Sequence, residues 1–109
     1  GMDYRTGVIH TTDYRFWEFN ETFKDDLYEE RSLAVEMETA TLFVAGFASK
    51  VPIGALLLVS DLPLRRGGIK TKKSASSVFR EYTDIHLEVG IKSMSEIKTR
   101  GEHIRHYKW

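Results

Sequence analysis

At 109 residues, with 41% hydrophobic and 12% aromatic side chains, the chain is sized for one globular domain rather than two. Its 16 basic and 16 acidic residues cancel, which excludes the one-signed field that gathers nucleic acid or anionic membrane, so neither is an expected partner. With no cysteine there is no disulfide or thiolate metal site, and no apolar run reaches the roughly 20 residues of a membrane helix, so the expected setting is cytoplasmic.

Gly1 before Met2 reads as the scar of a removed tag. Tyr4 to Thr11, rich in β-branched and aromatic residues, predicts a strand, with Gly7 as a candidate bulge. Asn20 is a fitting helix cap, and Phe23, Leu27 and Tyr28 then make an apolar stripe through residues 20–31. Leu33-Ala34-Val35 is a brief apolar run that leads into Glu36-Met37-Glu38. Thr39 to Lys50 is apolar on nearly every side, the mark of a buried helix, and Pro52 closes it. Ile53 to Val59 is continuously apolar and predicts a strand covered on both faces. Residues 61–73 hold a proline, two glycines and five cations, a pattern that is usually a solvated loop and also a candidate phosphate site. Ser74, Ser76 or Ser77 would then cap a long helix carrying Val78, Tyr82, Ile85 and Val89 on one side, followed by a polar tail from Gly101 to Trp109.

Alternating strands and helices predict an α/β layered fold with a mostly parallel sheet flanked by helices. The segments ending at Glu36 and Val59 are expected to be parallel neighbours. Ligands bind at the carboxyl ends of such strands, where Glu36 to Glu38 and Asp61 fall. Glu38, expected at the start of the apolar helix, is either an acid that stabilises the helix N-terminus or an acceptor for sugar hydroxyls. Asp61, after Ser60, is either a turn residue before Pro63 or a proton donor at the edge of a pocket. The four histidines show no metal-ligand spacing beyond the pair His103 and His106, which a polar tail explains as well, so no metal is expected.

The stretch AVEMETATLFVAGFASKVPIGALLLVSDLPL, Ala34 to Leu64, closely resembles the C-terminal part of the AMP nucleosidases, within the nucleoside phosphorylase and uridine phosphorylase superfamily. Weaker likeness runs from Tyr4 to Gly7, through Thr11-Thr12, to GIKT at Gly68 to Thr71 and HLEVGI in the last helix. The resemblance implies a partial three-layer fold of that superfamily and cleavage of the N-glycosidic bond of AMP or a related purine nucleoside or nucleotide, with no cofactor. It carries ribose binding to Met37 and Glu38, with Glu36 beside them, and action on the leaving purine nitrogen to Asp61. Base-side roles fall to Ser60, Arg15 and Phe16, with Tyr14 and Trp17 as neighbours. The loop LRRGGIKTKKSAS departs from the acidic pattern usual in that family, and the family's phosphate-gripping loop and arginines have no counterpart here. The chain is therefore expected to be a C-terminal fragment of the catalytic domain, inactive alone and self-associating. The alternatives are another phosphorylase or nucleosidase of the superfamily, or a non-catalytic oligomerisation or ligand-binding remnant.

Overall fold

The computed structural model describes residues 4–66, 68 and 71–101, without the side chain of Ser74. Gly1, Met2, Ile69, Lys70 and the tail with His103 and His106 lie outside the described residues. The architecture is α/β, and the chain divides into two compact units, Gly1–Ala45 and Gly46–Trp109.

The first unit is a strand–helix–strand. β1 (Ile9–Thr11) and β2 (Ala34–Glu36) pair in parallel, with Ile9 opposite Ala34, His10 opposite Val35 and Thr11 opposite Glu36. Parallel neighbours need a crossover, and α1 (Glu21–Glu29) supplies it after a single 3-10 turn at Trp17–Phe19. The helix begins as its sequence dictates, because the Asn20 side chain accepts the N–H of Phe23 at 3.1 Å. Leu27 is the buried apolar residue here, one turn on from Phe23. The Phe23 ring gathers His10 edge-on at 5.1 Å, Tyr14 edge-on at 6.4 Å and Trp17 at 5.8 Å, so one side chain ties the helix to β1 and to the following loop. At the other end of α1, His10 Nδ1 lies 2.7 Å from Glu30 Oε2. The His10 partner holds the Glu30 carboxyl below its usual range.

Gly7 is not a bulge: β1 begins after it, and the Leu33 side chain lies over it, its Cδ1 2.4 Å from where a Cβ would stand.

α2 (Thr39–Ala48) forms where the apolar run predicts it, but it is not buried. Leu42, Phe43, Val44 and Phe47 are all exposed, Val44 by 70% and Phe47 by 74%. Hydropathy states what a side chain prefers; burial also needs a neighbouring element packed over it. The helix ends with Lys50 at φ 55° and the Val51 N–H on the Gly46 carbonyl at 2.8 Å, a left-handed stop with Pro52 just beyond. Gly46 has to be glycine, since a Cβ would meet Ile53 Cγ1 at 2.2 Å and the Val51 carbonyl oxygen at 2.8 Å.

In the second unit, residues 53–59 are not a strand and do not join the sheet, which consists of β1 and β2. A strand exists through its ladder, and no described strand offers one to this segment. Leu56 instead lines an open apolar groove with His86, Leu87, Gly90, Ile91 and Met94 of α3 (Lys72–Arg100). Between them, a turn closes through Leu62 N–H on the Gly68 carbonyl (3.0 Å) and Arg65 N–H on the Leu62 carbonyl (2.9 Å). α3 starts at Lys72, so positions 74, 76 and 77 fall inside it rather than at its N-cap. On its expected inner face Val78 and Val89 are half-buried, while Tyr82 and Ile85 stay exposed. No described helix is long and apolar enough to cross a membrane.

Candidate functional site

The carboxyl ends of β1 and β2 meet at Thr11 and Glu36, and the chain leaves β2 through Met37 and Glu38 into α2. A helix start leaves N–H groups without intrahelical acceptors. Here they are taken: the Glu36 Oε2 accepts from the N–H of Glu38 at 2.7 Å and of Thr39 at 2.6 Å, and the Thr11 Oγ1 accepts from the N–H of Ala40 at 3.1 Å. The Thr11 hydroxyl in turn donates to Glu36 Oε1. The acid at the N-terminus of α2 is thus Glu36 rather than Glu38. A side chain two residues before the turn can fold back over it, whereas Glu38 begins the turn itself.

Burial works against ionisation of Glu36, but the hydroxyls of Thr11 and Thr39 and the N–H groups of Glu38 and Thr39 outweigh it and hold its pKa at about 2. The group is a fixed negative charge at any ordinary pH. Both of its oxygens already serve internal donors.

Glu38 differs in every respect. Its backbone is engaged, the N–H by Glu36 and the carbonyl by the N–H of Leu42 at 3.2 Å, while its side chain is exposed and accepts no hydrogen bond among the described residues. Met37 beside it is 42% exposed. The turn therefore presents one free carboxylate next to an apolar, polarisable thioether. Such a pair matches a group with an apolar face and hydroxyl edges. It does not match phosphate, because the helix N-terminus that would attract an anion is filled by Glu36.

Thr12 is buried; its N–H extends the ladder to the Glu36 carbonyl at 2.9 Å and its Oγ1 accepts the Tyr14 N–H at 3.0 Å, which turns the chain outward. Tyr14, Arg15 and Phe16 follow on the surface, Phe16 exposed by 60%. In the second unit, Ser60 and Asp61 are both half-buried, and the Ser60 hydroxyl donates to Asp61 Oδ1. Arg65, Arg66, Lys72 and Lys73 are exposed around the start of α3. Among the described residues, no three of His, Asp and Glu gather in a group able to hold a metal ion.

Thr11, Thr12 and Thr39 carry the geometry of this turn and were not singled out from the sequence as hydrogen-bonding residues. The available signal was Glu36 itself, an acid just ahead of an apolar helical run. Thr11 needs the strand register before it means anything.

The family model of the phosphorylase superfamily matches residues 1–86, a span that contains the Glu36–Glu38 turn and the Ser60-Asp61 pair. The chain belongs to the phosphorylase superfamily. Among curated members, it is 34% identical over 105 residues to the AMP nucleosidase of Escherichia coli strain K12, and equally to that of Escherichia coli O157:H7. Each match covers 95% of this chain and 22% of the relative, so this superfamily chain spans about a fifth of the length of the proteins it matches. No solved structure matches it significantly. The superfamily assignment agrees with the α/β architecture and with the resemblance carried by Ala34 to Leu64, which holds Val35-Glu36-Met37-Glu38 and Ser60-Asp61.

Proposed function

We propose that this chain serves an N-glycosidase that hydrolyses AMP to adenine and ribose 5-phosphate. The supporting observation is the Met37-Glu38 turn, one free carboxylate beside a thioether at the carboxyl end of a parallel strand, in a chain 34% identical to AMP nucleosidase over nearly its whole length. Cleavage breaks the bond between the ribose anomeric carbon and the purine nitrogen; water adds its oxygen to that carbon, and the base leaves with a proton. The sugar gains oxocarbenium character, as in glycoside hydrolysis.

In this reading Glu38 accepts the ribose hydroxyls and Met37 packs under the ring. Asp61 delivers the proton to the leaving base, oriented by the Ser60 hydroxyl. Arg15 and Phe16, on the surface after Thr12, border the base. Glu36 contributes charge and shape to the ribose side. The reaction needs no metal or organic cofactor. The exposed apolar residues of α2 support assembly with further copies of the chain, and the lack of cysteine supports a cytoplasmic setting.

The test is kcat and KM for adenine release by the full-length protein, its Asp61→Asn and its Glu38→Gln variants, with thermal melts to check folding. Loss of a general acid lowers rate by about 10²–10⁴-fold, so Asp61→Asn should lose kcat while Glu38→Gln affects KM and kcat together. Near wild-type kcat in Asp61→Asn would return Asp61 to a turn residue. The superfamily's description favours one second reading, a phosphorylase; base release from a purine nucleoside at a rate that rises with added inorganic phosphate, with ribose 1-phosphate as the other product, would select it.

A further inference from the structure

We propose that Thr11 and Glu36 form a clasp that positions the Met37-Glu38 turn, with Thr11 acting through Glu36 as a positioning residue and Glu36 serving the turn rather than the substrate. The proposal rests on the reading that Glu38 holds the ribose.

Four observations support it. Thr11 and Glu36 are register partners at the last paired position of the two strands, so the sheet itself sets their separation. The Thr11 hydroxyl is bifunctional, donating to Glu36 Oε1 and accepting from the Ala40 N–H at 3.1 Å. The other Glu36 oxygen takes the N–H groups of Glu38 and Thr39. Glu38 is thereby gripped by its backbone on both sides of its Cα while its side chain stays free. A hydroxyl on β1 thus bears on the direction of a carboxylate 27 positions later in the chain. Both carboxylate oxygens of Glu36 are already engaged by donors of the turn and of β1, whereas the Glu38 carboxylate accepts no hydrogen bond among the described residues.

Chemical replacement separates the parts. Thr11→Val keeps the shape and removes both hydrogen-bonding functions, leaving the Ala40 N–H without its acceptor. Thr11→Ser keeps both. Glu36→Gln breaks the clasp at the second point and carries the same test if Thr11→Val fails to fold.

Two measurements decide the matter. In the 109-residue chain, amide exchange at Glu38, Thr39 and Ala40 should be slow in wild type and Thr11→Ser and faster in Thr11→Val; equal exchange in all three overturns the clasp. In the full-length protein, Thr11→Val should lower kcat/KM for AMP by about tenfold to a hundredfold, the scale set by misplacing a binding group, with Thr11→Ser close to wild type. Adding Thr11→Val to Glu38→Gln should then cost nothing more, because the residue to be positioned is already disabled. Additive losses would mean that Thr11 acts by general stability and would overturn the proposal. If Glu38→Gln impairs the enzyme and folded Thr11→Val does not, the clasp is wrong and the N-glycosidase reading stands. If Glu38→Gln has no effect, the ribose assignment fails and takes the positioning role with it.

Discussion

Replacing Glu36 with glutamine preserves the volume of the side chain, removes its charge and turns one acceptor oxygen into an amide donor. At Oε2 that amide would face the N–H groups of Glu38 and Thr39, and at Oε1 the Thr11 hydroxyl. The folded pKa of Glu36 lies at about 2 against an ordinary 4.5, despite burial that acts in the other direction. At about 1.4 kcal/mol for each tenfold change in proton affinity, the full difference corresponds to about 3 kcal/mol. The carboxylate keeps contact with water, and screening reduces the net contribution to about 1–2 kcal/mol. The sign follows from the depressed value: the stabilisation is complete above the ordinary carboxyl pKa of 4.5 and drains away as pH falls toward 2. Urea unfolding of wild type and Glu36→Gln, followed by circular dichroism at pH 7, 4 and 2.5, isolates this group from the other fifteen acids. Wild type should be the more stable at pH 7 by about 1–2 kcal/mol, with most of the gap closed at pH 2.5. A gap that is absent at pH 7, or that stays constant down to pH 2.5, refutes the assignment of Glu36 as the ionised cap of α2.

Gly46→Ala gains about 1 kcal/mol of helix propensity but drives a Cβ to 2.8 Å from the Val51 carbonyl oxygen, which no rotamer can relieve; a net loss of about 1–3 kcal/mol is expected in denaturant melts. Lys50→Gly, at φ 55°, relieves a left-handed residue and should raise stability by about 0.5–1 kcal/mol, read as a higher urea midpoint at unchanged slope. Asn20→Ala removes the acceptor for the Phe23 N–H and should cost about 1 kcal/mol, with loss of helical signal from α1. Light scattering at micromolar concentration should show self-association that Val44→Glu and Phe47→Glu weaken; a monomer in wild type would count against the assembly reading.

Some of this was legible in the residues because it is local. The Asn20 cap with Phe23 and Leu27 behind it, the apolar run that becomes α2, and its end before Pro52 each depend on a few neighbouring positions. The V-E-M-E and S-D motifs pointed to the superfamily for the same reason. Residues 53–59 misled because a continuous apolar run specifies dryness and not pairing; only a partner strand makes a strand, and the ladder here joins β1 to β2. The serines before α3 misled because the helix begins earlier, at Lys72.

The Glu36 carboxylate was illegible for a different reason, and that reason bears on what the turn can bind. From the sequence, three acidic or sulfur side chains in a row at a helix start look interchangeable as ligands. The strand register separates them, because Thr11 opposite Glu36 claims one oxygen and the turn's own N–H groups claim the other. Once Glu36 fills the positive end of α2, the site loses the feature that draws anions to helix N-termini and keeps a free acceptor in Glu38. Two negative charges then stand at the mouth of this turn, so a phosphate there would meet repulsion, while a hydroxyl donor would meet none. On the proposed function, the turn therefore takes the hydroxyl edge of its ligand at Glu38, and any phosphate of that ligand stays away from the N-terminus of α2.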